Sequence, residues 1–150
     1  VAMKHVQGEV RIEAPLEHVW TVLCDTSHWM DFQPGSEVSD FSGPVDEVGT
    51  TYVQSERILG FKMSMTMTVV AVEPLRLYHE HSDKGPIDTY FRFASDGDAT
   101  HLVVECDYGM PGRLPRFIKD RIPTSRMERE MRQVLADFKA LAEATAPAHA

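Results

Sequence analysis

Cysteine is scarce in this chain, and so are long apolar runs and positive charge. The two cysteines, Cys24 and Cys106, stand in apolar surroundings. They are expected to be free buried thiols of a reducing compartment, and nothing in the spacing demands a disulfide. No run approaches the roughly 18 apolar residues that a membrane-spanning helix needs, so no integral membrane association is expected. The opening Val1-Ala2-Met3-Lys4-His5 lacks the apolar centre of a secretory signal, which points to a cytoplasmic location. Lys and Arg number 15 against 23 Asp and Glu, a formal net charge of −8. A surface so acidic repels nucleic acid, and no nucleic-acid partner is expected. Also missing are a phosphate-binding Walker loop, a dinucleotide fingerprint, a Gly-x-Ser-x-Gly elbow and paired Cys-x-x-Cys motifs. No cofactor is therefore expected.

What remains is an ordinary globular composition, 43% apolar and 25% charged, over 150 residues. That length fits a single domain, residues 1–150, able to hide roughly 68–70% of its unfolded surface without disulfide or metal support. Val6, Gly8, Val10 and Ile12 alternate with polar residues, which marks a half-buried strand ended by Ala14-Pro15. Leu16, Val19, Trp20 and Leu23 share a helical face, so a helix is expected over 16–24. Asp25-Thr26-Ser27 caps a second short helix through Trp29 to Phe32, which Pro34-Gly35 stops. Strands are expected at 37–41, 50–59, 61–72, 75–82, 87–94 and 100–108, with a hairpin at Ser95-Asp96-Gly97-Asp98. Beyond Tyr108-Gly109-Met110-Pro111-Gly112, Leu114, Phe117, Ile118 and Ile122 match a helical face interrupted by Pro115 and Pro123. Ser125 and Glu128 read as a capping box, and Met127, Met131, Val134, Leu135, Phe138, Leu141 and Ala142 form one apolar stripe.

This is an α+β order: one strand, two short helices, six antiparallel strands and a long C-terminal helix. The inner face of the resulting seven-stranded sheet is expected to carry Met63, Met65, Met67, Leu75, Leu77, Phe91, Phe93, Leu102 and Val104. A single helix about 10–12 Å across cannot cover a broad curved sheet. Either the sheet curls and fills its space with side chains, or a void remains for a guest. The methionines suit both outcomes, since unbranched thioethers pack irregular cores and adapt to varied ligands. Met63, Met65, Met67, Leu77, His79, Phe91, Phe93, Val104 and Tyr108 of the strands, with Met131 and Leu135 of the helix, are the candidate ligand contacts.

Polar candidates are few. His79, His81 and Asp83 share a strand face in phase with Leu75 and Leu77, where they can exchange protons or donate hydrogen bonds to a ligand. An H-x-H pair without a third fixed ligand is a weak zinc signal, and no metal is expected. Tyr108 is in phase with Leu102, Val104 and Cys106 and should point inward. Tyr52, Gln54 and Glu56 share one face of strand 50–59, and which face is inner stays open. If theirs is, Glu56 is a buried carboxyl with a raised pKa and a candidate acid or base. Between Arg113 and Arg132 cations outnumber anions, which fits either the solvated side of a helix or a docking face for an acidic partner.

Ile12-Glu13-Ala14-Pro15-Leu16-Glu17-His18-Val19-Trp20, with Leu23, Asp25, Trp29 and Phe32 behind it, resembles the opening of the START/polyketide-cyclase superfamily, also called Bet v 1-like. Gly43…Val48-Gly49 is similar to its glycine-marked hairpin, and Tyr108–Gly112 to the stretch joining its last strand to the terminal helix. The resemblance spans nearly the whole chain and implies a helix-grip fold. It implies binding, with transport as one use of it, of a small hydrophobic ligand such as a lipid, isoprenoid or polyketide. The alternative is a polyketide cyclase or aromatase using His79, His81, Tyr108 and Glu56. A fold hosts many functions, so these stay open, as does a homodimer.

Overall fold

Hairpin-length connections force consecutive strands to lie side by side, and the computed structural model has this arrangement. It describes residues 3–33, 36–58, 60–84, 87–109 and 124–147. The elements are β1 (Lys4–Ile12), α1 (Leu16–Cys24), a 3₁₀ helix (Thr26–Asp31), β2 (Ser36–Ser39), β3 (Thr51–Ile58), β4 (Phe61–Glu73), β5 (Leu77–Ser82), β6 (Ile87–Asp96), β7 (Ala99–Tyr108) and α2 (Thr124–Thr145). One seven-stranded antiparallel sheet runs in the order β1-β7-β6-β5-β4-β3-β2. The first two strands thus form opposite edges, and α1 with the 3₁₀ helix carries the chain between them. Pro34-Gly35, Leu59, Gly85-Pro86 and residues 110–123, which hold the expected helical face of Leu114, Phe117, Ile118 and Ile122 and most of the basic stretch, lie outside the described residues.

Local chemistry accounts for most boundaries. The Asp25 carboxylate accepts from the Ser27 backbone N–H at 3.1 Å and caps the 3₁₀ helix. Between β6 and β7 a two-residue turn has Gly97 at φ 62°, a conformation that glycine adopts without steric cost. The core joins Ile12, Val19, Leu23, Trp29, Phe32, Tyr52, Val69, Tyr78, Leu102, Phe138 and Ala142.

Two expectations about facing are corrected. β4 has a bulge: Val69 pairs with Glu80 and Ala71 with His79, leaving Val70 unopposed. Strict alternation along Phe61, Met63, Met65, Met67 and Val69 puts Ala71 on the inner face; the bulge turns Val72 inward instead and leaves Val70 exposed. Leu75 does not start β5. It sits in the β4–β5 turn at φ 66°, where the Arg76 backbone N–H donates to the Glu73 carbonyl. The strand's buried residues are Tyr78, Glu80 and Ser82, opposite Val72, Val69 and Met67 of β4, whereas Leu77, His79 and His81 take the other face.

The helix α2 lies along β1. A Cβ on Gly8 would stand 2.6 Å from Leu135 Cδ1 and 3.2 Å from Met131 Cγ, so the bare backbone of β1 is what lets the helix approach. The far end of α2 is latched to the β1–α1 corner. Lys139 Nζ donates to the Arg11 carbonyl at 2.6 Å, the Glu13 backbone N–H to Glu143 at 2.7 Å, and His18 Nε2 to the Ala142 carbonyl at 3.0 Å. Replacing Gly8 by Val should lower stability by about 1–3 kcal/mol through overpacking, which exceeds the up to ~1 kcal/mol that valine's strand preference returns. Urea unfolding checks this; an unchanged midpoint refutes the close contact.

Candidate functional site

With α2 fixed to one edge strand, the remaining concave surface of the sheet stays open beneath the helix's first turns. A cavity of about 330 Å³ lies there. Among the described residues its inner wall is Met65 and Met67 from β4, Glu80 from β5, Ile87, Thr89 and Phe91 from β6, and Val104 and Cys106 from β7, with Val6 from β1. Met127, Met131 and Val134 of α2 form the roof. Gln33, Ser36, Gln54, Glu56, Arg57, Arg126, Glu130 and Gln133 make a polar rim. Outside the rim a second hollow of about 410 Å³ shares Gln33, Ser36, Glu56 and Arg57 and adds Met30, Glu37, Ser55 and Lys62.

The one strongly polar group on the inner wall is Glu80, which is 7% exposed. Its Oε2 accepts hydrogen bonds from the Tyr52 hydroxyl at 2.6 Å and the Tyr78 hydroxyl at 3.1 Å. Burial raises the Glu80 pKa, and the two phenol hydrogen bonds pull partly against that. Burial, followed by the neighbouring carboxylate, pushes both phenols upward, so they remain donors. The tyrosines are themselves braced. Trp29 meets the Tyr52 ring at 5.2 Å and the Tyr78 ring at 6.3 Å, both edge to face, and its indole N–H donates to the Leu23 carbonyl at 2.7 Å.

Because the folded protein holds the Glu80 proton where an unfolded chain releases it, the unfolded state binds fewer protons above the ordinary carboxyl range. Stability contributed through Glu80 then falls as pH rises from that range through the folded pKa. Glu80→Gln cannot titrate. The variant should gain stability relative to the native protein as pH rises through the range above the ordinary carboxyl value in paired urea titrations. A constant difference across that window contradicts the raised pKa.

At the rim the open question about β3 is answered: the Tyr52 face is the inner one, with Tyr52 itself buried in the core and Gln54 and Glu56 lining the cavity. Burial, then the charge of Glu130, raises the Glu56 pKa, while a 3.0 Å hydrogen bond from Gln54 and the charge of Arg126 oppose the rise. Arg126 is itself paired with Glu130 at 3.0 Å. Of the basic stretch, Arg129 and Arg132 are exposed on α2.

Of the other residues singled out from sequence, Met65, Met67, Phe91, Val104 and Met131 line the cavity. Met63 is half-buried on the same face of β4 without reaching it, and Phe93 and Leu135 are buried in the core, Phe93 against Trp20 at 5.3 Å. Tyr108 is buried with Val6 and Cys106 against Met127 and Met131. The structure does not bring Leu77, His79 and His81 into the cavity. Both histidines contact Asp88 Oδ1 on the convex face, at 2.8 and 3.1 Å, and His79 stacks on Tyr90 at 4.0 Å. No group of three or more His, Cys, Asp or Glu suited to a metal ion occurs among the described residues. Both cysteines are free, and burial pushes each thiol up to about 11. No helix among the described residues is long and apolar enough to cross a membrane.

Sequence comparison gives the fold its family. Residues 3–143 match the family described as polyketide cyclase / dehydrase and lipid transport. The chain belongs to that family. No curated protein sequence matches it significantly. Among solved structures, the protein TTHA0849 from Thermus thermophilus superposes with a TM-score of 0.77 at 17% identity, over 96% of this chain and 100% of its own. The Zhui aromatase/cyclase from Streptomyces sp. R1128 does so with 0.74 at 20% identity, over 97% and 100%. Norcoclaurine synthase from Thalictrum flavum, solved with dopamine and hydroxybenzaldehyde, gives 0.69 at 15% identity, over 98% and 90%. At such identities the likeness concerns the fold, the helix-grip architecture of the Bet v 1-like superfamily. The family description pairs polyketide cyclisation or dehydration with lipid transport.

Proposed function

We propose that the protein binds a small, largely apolar molecule inside the cavity beneath α2, as a carrier of a lipid, isoprenoid or polyketide. The observation that carries this reading is the cavity itself. Its volume of about 330 Å³ falls in the range of small-molecule sites, roughly 300–1,000 Å³, and methionine, phenylalanine, isoleucine and valine supply most of its wall and roof. Thioether and aromatic walls offer dispersion and burial with little directional demand, which suits an apolar guest. Isothermal titration with 2-ethylnaphthalene tests it: saturable one-to-one binding is expected, and no heat or a non-saturating signal overturns it.

A second reading has its own observation. Two carboxyls with raised pKa, Glu56 and Glu80, face the same space, and such groups can pass protons near neutral pH. A cyclase or aromatase would use them on a bound chain. Under this reading Glu56→Gln or Glu80→Gln abolishes turnover of a carbonyl-bearing polyketide mimic while the mimic still binds. Turnover surviving both changes excludes them as the machinery.

A further inference from the structure

The clamp on Glu80 leaves half of that carboxyl unused. Both tyrosine hydroxyls donate to Oε2, and no hydrogen bond from a described residue reaches Oε1, although Glu80 lines the cavity wall. Oε1 is therefore the carboxyl oxygen left to meet a guest in the cavity. Resting on the binding reading above, we propose that Glu80, as the neutral acid, donates its Oε1 proton to a carbonyl oxygen of the ligand, so that the cavity selects apolar ketones and related oxo compounds over plain hydrocarbons.

The geometry decides the direction of donation. Two donors already occupy Oε2, so the acid's proton sits on Oε1. Tyr52 and Tyr78 cannot serve the ligand, because their only protons are committed to Glu80. No ion pair joins Glu80 to a lysine, arginine or histidine among the described residues. Burial without a cation favours the uncharged form, and the raised pKa agrees. An amine ligand would require a buried ion pair in an apolar chamber, whose desolvation is costly. A carbonyl needs only a neutral donor.

Titration of 2-acetylnaphthalene and 2-ethylnaphthalene into the native protein and two variants tests the assignment. Glu80→Leu should weaken the ketone about tenfold and leave the hydrocarbon unchanged or tighter, since one hydrogen bond of ordinary strength is lost. Glu80→Gln should keep the ketone within about threefold, because its amide oxygen can take both phenol hydrogen bonds while its N–H faces the cavity. Circular dichroism checks that each variant is folded. If Glu80→Leu is not, the triple change Tyr52→Phe, Tyr78→Phe, Glu80→Leu removes the stranded hydroxyls and carries the same comparison. Equal losses for both probes in the leucine variants, or a Gln variant that loses the ketone as badly, overturn the proposal while leaving the binding reading intact. Failure of the native protein to bind either probe overturns the binding reading, and this one with it.

Discussion

Trp29→Ala should cost about 3–5 kcal/mol of stability, the range for truncating a buried large aromatic. The indole is 2% exposed and meets four rings: Tyr52 at 5.2 Å, Phe41 at 5.9 Å, Tyr78 at 6.3 Å and Phe32 at 6.5 Å. It also ties the 3₁₀ helix to the end of α1 through the Leu23 carbonyl. Its removal leaves a void between α1, the 3₁₀ helix and the inner face of β3 and β5, and frees the two tyrosines that fix Glu80. For a domain of this size the melting temperature should fall by roughly 6–20 °C. Calorimetry reads the shift. Because the tyrosine clamp loosens, ketone affinity should fall more than hydrocarbon affinity in whatever fraction remains folded. A change of less than about 1 kcal/mol would mean that the aromatic cluster does not organise this end of the molecule.

Met65→Trp should have the largest effect on binding. Met65 points from β4 into the cavity, and an indole there occupies the space meant for a guest. Uptake of 2-ethylnaphthalene should drop at least tenfold. Stability is the second readout, and it separates two interiors. If a void is present, the larger ring gains buried apolar contact at about 25 cal/mol per Å², and the melting point holds or rises. If the interior is already full, overpacking costs about 1–3 kcal/mol and the melting point drops. Blocked binding with retained stability is the expected pair.

The order of elements could be read from the sequence because each strand advertised its period or its turn. The β7 alternation of Leu102, Val104, Cys106 and Tyr108 inward is as the residues imply, and the Leu16–Cys24 helix begins and ends where its apolar spacing does. The inward facing of Met65 and Met67 was equally legible, since β4 alternates cleanly up to its bulge, whereas Met63 on the same face stops short of the cavity and Met127 reaches it. The site's main polar group was not. Leu75 and Leu77 set the apparent phase of β5, but Leu75 belongs to the turn and Leu77 faces away from the core. Tyr78, Glu80 and Ser82 look like an exposed face by hydropathy, because a buried glutamate satisfied by phenols carries the same letter as a solvated one. One signal was present: Tyr52 lies on a strand that pairs with β4, and β4 pairs with β5. Two tyrosines and a glutamate on next-but-one strands form a self-sufficient polar set once the facing is known. The Val70 bulge, which no turn residue marks, hid only the switch of β4's inner face to Val72.

The proposed function requires a guest to enter the space between α2 and the sheet. Carbon-13 labelling of the methionine methyls, followed by a proton–carbon titration with 2-ethylnaphthalene, probes that space directly. The methyls of Met65, Met67, Met127 and Met131 line it, whereas Met3 and Met30, both about half exposed, lie outside it, Met30 in the hollow beyond the rim. Saturable shifts in the first four, with Met3 and Met30 still, are the predicted result. Shifts confined to the two exposed methyls, or none at all, would contradict it.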